Sequence, residues 1–153
     1  MTVDYQRLTR DRIPEALAMM RRFYTEERLE LHEDRARPGL EELIAGADRG
    51  GWWFIVADGK VAGYFVLTVS FSLEFGGRFA LLDEFFVLAE SRGGGIGTQS
   101  LERVEEEAAR MGVAAMRLEV DRSNARLQAF YARSGFVAHD RDLMSKWLSK
   151  DRG

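Results

Sequence analysis

The segment LLDEFFVLAESRGGGIGT, residues 81–98, decides the fold of this chain. It opens with an apolar run that contains two acids, and it ends with four glycines in the five positions 93–97. Directly afterwards, apolar residues recur at the spacing of one helix face, at Leu101, Val104, Ala108 and Met111. The glycines therefore lie between a strand and a helix, where the backbone can approach a ligand and the helix presents unpaired N–H groups. This arrangement predicts an anion site, with phosphate as the favoured ligand.

Two nucleotide-binding interpretations of the loop fit less well. A mononucleotide loop needs Lys followed by Ser or Thr after its last glycine, whereas Thr98 and Gln99 follow here. A dinucleotide loop is closer, because residues 95–100 approach GxGxxG and Glu119 follows about 20 residues later. However, Ser100 replaces the third glycine, and four residues separate the apolar strand from the first glycine. The dinucleotide interpretation is therefore disfavoured.

Residues 87–97 resemble the acetyl-CoA loop of the GNAT superfamily of N-acetyltransferases. The family signature is Gln or Arg, two residues, Gly, one residue, then Gly or Ala, and Arg92, Gly95 and Gly97 occupy these places. Ala89 stands where the family commonly has proline. The resemblance implies that backbone N–H groups of the loop hold the CoA pyrophosphate. The implied cofactor-binding residues of this segment are Phe86, Val87, Arg92, Gly93, Gly94, Gly95, Ile96, Gly97 and Thr98.

A second GNAT-like pattern covers residues 124–136, with Asn, then Phe-Tyr, then Gly-Phe at the family's spacing. By this resemblance, Asn124 binds the pantetheine arm or a backbone group beside it, and Tyr131 stands near the thioester sulfur. Tyr131 could then protonate the departing CoA thiolate. It could instead be a core aromatic, because Leu127 and Phe130 share its helix face. Both interpretations stay open for Tyr131.

The chemistry of acetyl transfer also requires a base, because an amine attacks a thioester only when it is neutral. Asp83 and Glu84 are the candidates: they interrupt an apolar strand, where burial would raise a carboxyl pKa. The run of residues 83–87 resembles the acidic-acidic-Phe-Phe-Val run of the diamine acetyltransferases, where the first acid is proposed as the base, and this favours Asp83. Regular alternation would place the two acids on opposite faces. Alternatively, structural hydrogen bonds hold both.

The composition is that of an ordinary globular protein, and the 153 residues predict a single domain over residues 1–153. A net charge of -3 disfavours nucleic-acid binding and suits a cationic small molecule. The absence of cysteine excludes disulfides and a thiol nucleophile, so the acetyl group must move directly to the acceptor. His32 and His139 lie too far apart to indicate a metal site. No signal pattern and no apolar run of about 18 residues is present, which predicts a cytoplasmic protein without membrane contact.

The expected fold is of the α/β (α+β) class, a GNAT-like domain with about four helices on both faces of a mixed, mostly antiparallel sheet of six or seven strands. Pro14 should lie in the first turn of a helix, and a short amphipathic segment should start after Pro38 and Gly39. The other expected elements are a hairpin turning at residues 58–59, a strand at 114–120, a helix at 124–134 and closing strands at 136–138 and 143–148.

The expected function is acetyl-CoA-dependent N-acetylation of a primary amine on a small molecule, such as a polyamine, an amino acid or a related amine. A protein N-terminal or lysine acetyltransferase and a non-catalytic acetyl-CoA-binding module remain alternatives, and the resemblance is compatible with a homodimer. The charged segment after the first helix is either a solvated face or a source of attraction for a cationic acceptor, through Glu26, Glu27 or Glu30.

Overall fold

The computed structural model describes residues 1–149. These residues form two compact units, a larger one of Met1–Glu119 and a smaller one that begins at Val120. Among the described residues, no helix is both long and apolar enough to cross a membrane.

The larger unit is built on a five-stranded sheet with the strand order β1-β2-β3-β4-β5. Strands β1 to β4 pair with one another in antiparallel fashion, and β5 pairs parallel to β4. The strands are β1 Val3–Arg7, β2 Gly50–Ala57, β3 Lys60–Ser72, β4 Gly77–Val87 and β5 Met116–Leu118. The helices of this unit are α1 Ile13–Glu26, α2 Glu33–Ala45 and α3 Ile96–Arg110, and the smaller unit contains α4 Ala125–Arg133. The predicted fold class is confirmed.

The β2–β3 hairpin turns at Asp58 and Gly59, as predicted. Their φ angles are 49° and 79°, both in the left-handed region that a two-residue hairpin turn requires. Successive side chains of the paired strands then alternate between two buried faces. Trp52 and Tyr64 belong to the cluster under α1 and α2. On the other face, Tyr5 contacts Phe65 and donates to Ser100 of α3, so the sheet is covered by helices on both sides.

The second helix differs from its prediction. It begins at Glu33 and continues through Pro38, whereas the sequence suggested that a new segment starts after Pro38 and Gly39. A proline in a helix removes one backbone hydrogen bond. The helix nevertheless persists because Leu40 is buried in the core cluster, with Leu43 and Ile44 packed against it.

The predicted closing strands are wrong, and the sheet has five strands rather than six or seven. Residues 136–138 and 143–148 form no strand in the structure, and the strand expected at 114–120 is reduced to Met116–Leu118. Met144 and Leu148 are 90% and 93% exposed, so these apolar side chains are not buried against a sheet. Apolar composition is a local property, whereas a strand also needs a hydrogen-bonding neighbour, which the local sequence does not specify.

Candidate active site

Strand β4 has a strand neighbour on both sides only along its first half. Its parallel pairing with β5 extends from Ala80↔Met116 to Leu82↔Leu118. Beyond Leu82, the pairing of β4 is with β3 alone, up to Gly63↔Val87. In the described part of the chain, the edge of β4 at residues 83–87 therefore has no strand partner. We refer to this part of the strand as the open edge of β4.

A β-bulge lies at the start of this open edge. Val66 pairs with Glu84, while the next residue of β3, Leu67, pairs with Leu82, so that Asp83 is the extra residue of β4. Because Val66 and Leu67 point to opposite faces, Leu82 and Glu84 do so as well. The regular alternation assumed from the sequence is therefore wrong at Asp83. The bulge turns Glu84 towards the face that carries α1 and Tyr64.

Two tyrosines hold Glu84 on this face. The Tyr64 hydroxyl donates to Glu84 Oε1 at 2.6 Å, and the Tyr24 hydroxyl donates to Oε2 at 2.7 Å. Burial raises the pKa of Glu84 to about 6, although the two hydrogen bonds lower it and the charge of Asp83 raises it further. Burial and the charge of Glu84 also raise the pKa of both tyrosines, so their hydroxyls remain protonated donors.

Asp83 differs from Glu84 in its exposure. Its side chain is exposed, yet partial desolvation by the surrounding protein raises its pKa. Among residues 1–149, neither Asp83 nor Glu84 forms an ion pair with Arg, Lys or His. The bulge therefore presents two adjacent carboxylates whose charges are not balanced by a side chain of the described chain.

Val87 directs its backbone polar groups towards the open edge of β4. The N–H of the next residue, Leu88, donates to the carbonyl of Ala62, at the β3 side. In an antiparallel strand the polar groups of successive residues point to opposite sides, so those of Val87 point away from β3. Consistently, the Val87 carbonyl accepts from Arg92 Nε at 2.8 Å rather than from β3. The Val87 N–H is thus available at the open edge.

The glycine loop joins the end of β4 to α3 in an open conformation. Gly93 and Gly95 have φ angles of 92° and 82°, and a Cβ atom at either position would have no neighbour within 4 Å. The first hydrogen bond of α3 runs from the Gln99 N–H to the Gly95 carbonyl at 3.0 Å. The N–H groups of the preceding residues 96–98 therefore have no acceptor within the helix, and its first turn contains no acidic residue. These features suit a phosphate group.

Arg92 uses its side chain within the protein. Besides its bond to Val87, its Nη2 donates to Glu26 Oε2 at 2.6 Å, and the neighbouring Glu90 forms two hydrogen bonds with Arg22, each of 3.0 Å. These contacts connect the start of the loop to α1. Glu26, which the sequence offered as an attractant for the acceptor, is instead paired with Arg92.

In the smaller unit, α4 begins where the sequence predicted. The Asn124 side chain caps the helix, because its Oδ1 accepts from the Leu127 N–H at 3.0 Å. Tyr131 is 7% exposed, and its ring contacts those of Phe130 and Phe136 at 5.2 and 5.7 Å between centroids. The cofactor role of Asn124 and the acid role of Tyr131 stay predictions, as do the cofactor roles of the loop residues.

Sequence reasoning missed Tyr24 and Tyr64. Neither was a candidate site residue, because a tyrosine within an apolar pattern carries no local sign of its hydrogen-bond partner. Among the described residues, no group of three or more His, Asp or Glu side chains could hold a metal ion. The expectation that the protein uses no metal remains a prediction.

The open edge of β4, the bulge acids and the glycine loop can be compared with known proteins. The acetyltransferase (GNAT) family model matches residues 14–136. The chain belongs to this family. The predictions of the GNAT family, of acetyltransferase activity and of acetyl-CoA as the acetyl donor are thereby confirmed at the level of the family.

Solved structures share the GNAT fold over almost the whole chain. An integron cassette protein from the mobile metagenome of Cole Harbour Salt Marsh is 30% identical, with 95% of this chain and 90% of that protein covered and a TM-score of 0.80. The aminoglycoside N-acetyltransferase AAC(6')-Iy in complex with CoA is 16% identical, with coverages of 97% and 96% and a TM-score of 0.81. A predicted acetyltransferase from Clostridium acetobutylicum with acetyl-CoA is also 16% identical, with coverages of 95% and 96% and a TM-score of 0.78. No curated protein matches the chain.

Proposed function

We propose that this GNAT protein transfers an acetyl group from acetyl-CoA directly to a primary amine of a small cationic molecule, such as a polyamine, an amino acid or a related amine, with Glu84 as the general base. The observation that carries this proposal is the pair of unbalanced carboxylates at the bulge, beside the open edge of β4. A cationic acceptor would supply the missing positive charge.

The geometry favours Glu84 over Asp83 as the base, in contrast to the assignment that the diamine acetyltransferase run suggested. Glu84 is fixed by two hydrogen bonds, and its pKa of about 6 leaves it mostly ionised at neutral pH while making it a stronger base than an ordinary carboxylate. Asp83 is exposed and suits an electrostatic role, in which it attracts the ammonium group of the acceptor or a second one.

The remaining steps follow the thioester chemistry. Glu84 takes one proton from the ammonium group of the acceptor, and the neutral amine so formed attacks the thioester carbon. The Val87 N–H at the open edge stabilises the oxyanion that forms. The C–S bond then breaks, and Tyr131, in the role that the family resemblance implies, gives a proton to the CoA thiolate. The amide nitrogen loses its remaining extra proton to solvent, from which the tyrosinate is reprotonated. Throughout, the loop and the N-terminus of α3 hold the pyrophosphate, while Asn124 binds the pantetheine arm. The chain has no cysteine that could carry the acetyl group, in agreement with direct transfer.

Release of CoA thiol from acetyl-CoA tests the proposal across a panel of acceptors. The panel contains polyamines, amino acids, aminoglycosides and basic peptides, because AAC(6')-Iy is itself an aminoglycoside acetyltransferase. Turnover is expected with small amines. Turnover with peptides alone would instead favour a protein acetyltransferase, and binding of acetyl-CoA without turnover of any acceptor would favour a non-catalytic module.

Two substitutions then separate the acids. Glu84→Gln should lower kcat by roughly 10²-fold or more while leaving CoA affinity unchanged, since one proton transfer contributes about that much. Asp83→Asn should mainly raise the KM for the amine. Nearly full kcat in Glu84→Gln would contradict the assignment of Glu84 as the base. If Asp83→Asn instead lowers kcat and Glu84→Gln mainly raises the KM for the amine, Asp83 is the base.

A further inference from the structure

We propose that Tyr24 and Tyr64 are positioning residues, which together hold the Glu84 carboxylate in one orientation and favour its ionised form. This inference rests on the proposed function, in which Glu84 is the base.

Each carboxylate oxygen of Glu84 has its own donor, and the donors belong to different elements. Tyr64 in β3 binds Oε1 at 2.6 Å, and Tyr24 in α1 binds Oε2 at 2.7 Å. Because the two hydroxyls bind different oxygens, the carboxylate cannot rotate about its terminal bond without losing both contacts. Each oxygen still has a further lone pair for an ammonium group or a water molecule.

The packing of the two rings fixes the positions of their hydroxyls. The Tyr64 ring is fully buried and stacks on Trp52, with 4.6 Å between centroids and 5° between planes. Phe23 contacts the edges of both tyrosine rings, at 5.8 Å from Tyr24 and 6.0 Å from Tyr64. Since these contacts involve the rings, Tyr→Phe substitutions should keep the packing and remove only the hydroxyls.

The electrostatic surroundings give the tyrosines their influence on Glu84. The ionisable groups that act on its carboxylate are Tyr24 from α1, Tyr64 from β3 and Asp83 from β4 itself. Burial and the charge of Asp83 favour the protonated form of Glu84, whereas the two hydroxyls favour the ionised form. No Arg, Lys or His of residues 1–149 forms an ion pair with Glu84 that would replace them.

A purely structural role predicts a different result. If the hydroxyls served only to satisfy buried polar groups, their removal would lower stability and leave the titration of Glu84 unchanged. If they favour the ionised carboxylate, the titration midpoint of Glu84 must rise when either is removed. The titration can be followed in the free protein, so it does not depend on knowledge of the acceptor.

The experiment uses Tyr24→Phe and Tyr64→Phe, with Tyr5→Phe as the matched control. The Tyr5 hydroxyl contacts Ser100 Oγ at 3.1 Å on the other face of the sheet. Carboxyl-labelled glutamate is followed by ¹³C NMR as a function of pH, and the Glu84 signal is identified by its loss in Glu84→Gln. Each test variant should raise the midpoint by about one pH unit, while Tyr5→Phe leaves it unchanged.

Unchanged midpoints in folded Tyr24→Phe and Tyr64→Phe would overturn the inference. If Tyr64→Phe does not fold, Tyr24→Phe decides alone, because Tyr24 lies partly exposed on α1. Once an acceptor is known, the acidic limb of the pH profile of kcat/KM should shift to higher pH by about one unit in both variants. The base assignment is tested separately by the turnover of Glu84→Gln, so it can fail while the NMR titration still supports the two hydrogen bonds.

Discussion

The stability of Glu84→Gln relative to that of the wild type should increase from acidic to alkaline pH, even though the substitution should impair turnover. Burial raises the folded-state pKa of Glu84 from 4.5 to about 6, so the native state binds more protons than the unfolded state between these values. Stability from this group is therefore fully present below pH 4.5 and is lost as the pH rises through 6. Glutamine is neutral at every pH and avoids this loss.

The magnitude follows from the shift in pKa. An increase from 4.5 to about 6 corresponds to about 2 kcal/mol of stability lost between acidic and alkaline pH. Any difference in hydrogen bonding between Gln and the protonated Glu is nearly independent of pH, so it adds a constant offset. For a domain of this size, about 2 kcal/mol corresponds to a Tm change of roughly 4–8 °C.

Thermal unfolding of both proteins, measured by circular dichroism from pH 4 to pH 8, tests this reasoning. The Tm of Glu84→Gln minus that of the wild type should increase across this range by roughly 4–8 °C. The midpoint of this increase should lie between pH 4.5 and about pH 6, the unfolded-state and folded-state pKa values of Glu84. Glu41→Gln makes the same chemical change at an exposed position of α2 and serves as the control. A Tm difference that stays flat with pH, or one that decreases, would refute the buried, ionised state assigned to Glu84.

Three further outcomes test the cofactor site. Gly97→Val should weaken CoA binding, because a branched side chain would lie where the phosphate approaches. Gly95→Val should also weaken CoA binding and, in addition, lower Tm, since φ at Gly95 is 82°. Unchanged CoA affinity in both variants would show that the loop is not part of the CoA site. Acetyl-CoA at a hundredfold excess over Kd should stabilise the protein by about 2.7 kcal/mol in a thermal-shift assay, and stabilisation by NAD instead would restore the dinucleotide interpretation. Tyr131→Phe should bind CoA almost normally and turn over about 10²-fold more slowly if its hydroxyl is the acid, whereas full turnover with a small loss of Tm would leave Tyr131 in the core.

The sequence by itself determined the features that depend on neighbouring residues. Spacing and glycine content predicted the loop between β4 and α3, and the Asp58-Gly59 pair predicted the hairpin turn. Asn124 marked the start of α4, and Pro14 lies in the first turn of α1. Such features follow from backbone geometry and from bonds within a few residues, which a sequence pattern reports directly. The two family motifs rest on the same kind of local spacing.

Only the tertiary structure decided how Glu84 is placed and held. Its donors lie 60 and 20 positions away in the sequence, and the bulge that turns it towards them is defined by the register between β3 and β4. The pairing of Glu26 with Arg92, 66 positions apart, is of the same kind. The closing strands were wrongly predicted because, among the described residues, no strand pairs with these short apolar segments. Contacts between distant segments depend on which surfaces the whole chain buries together, and a local pattern does not contain that information.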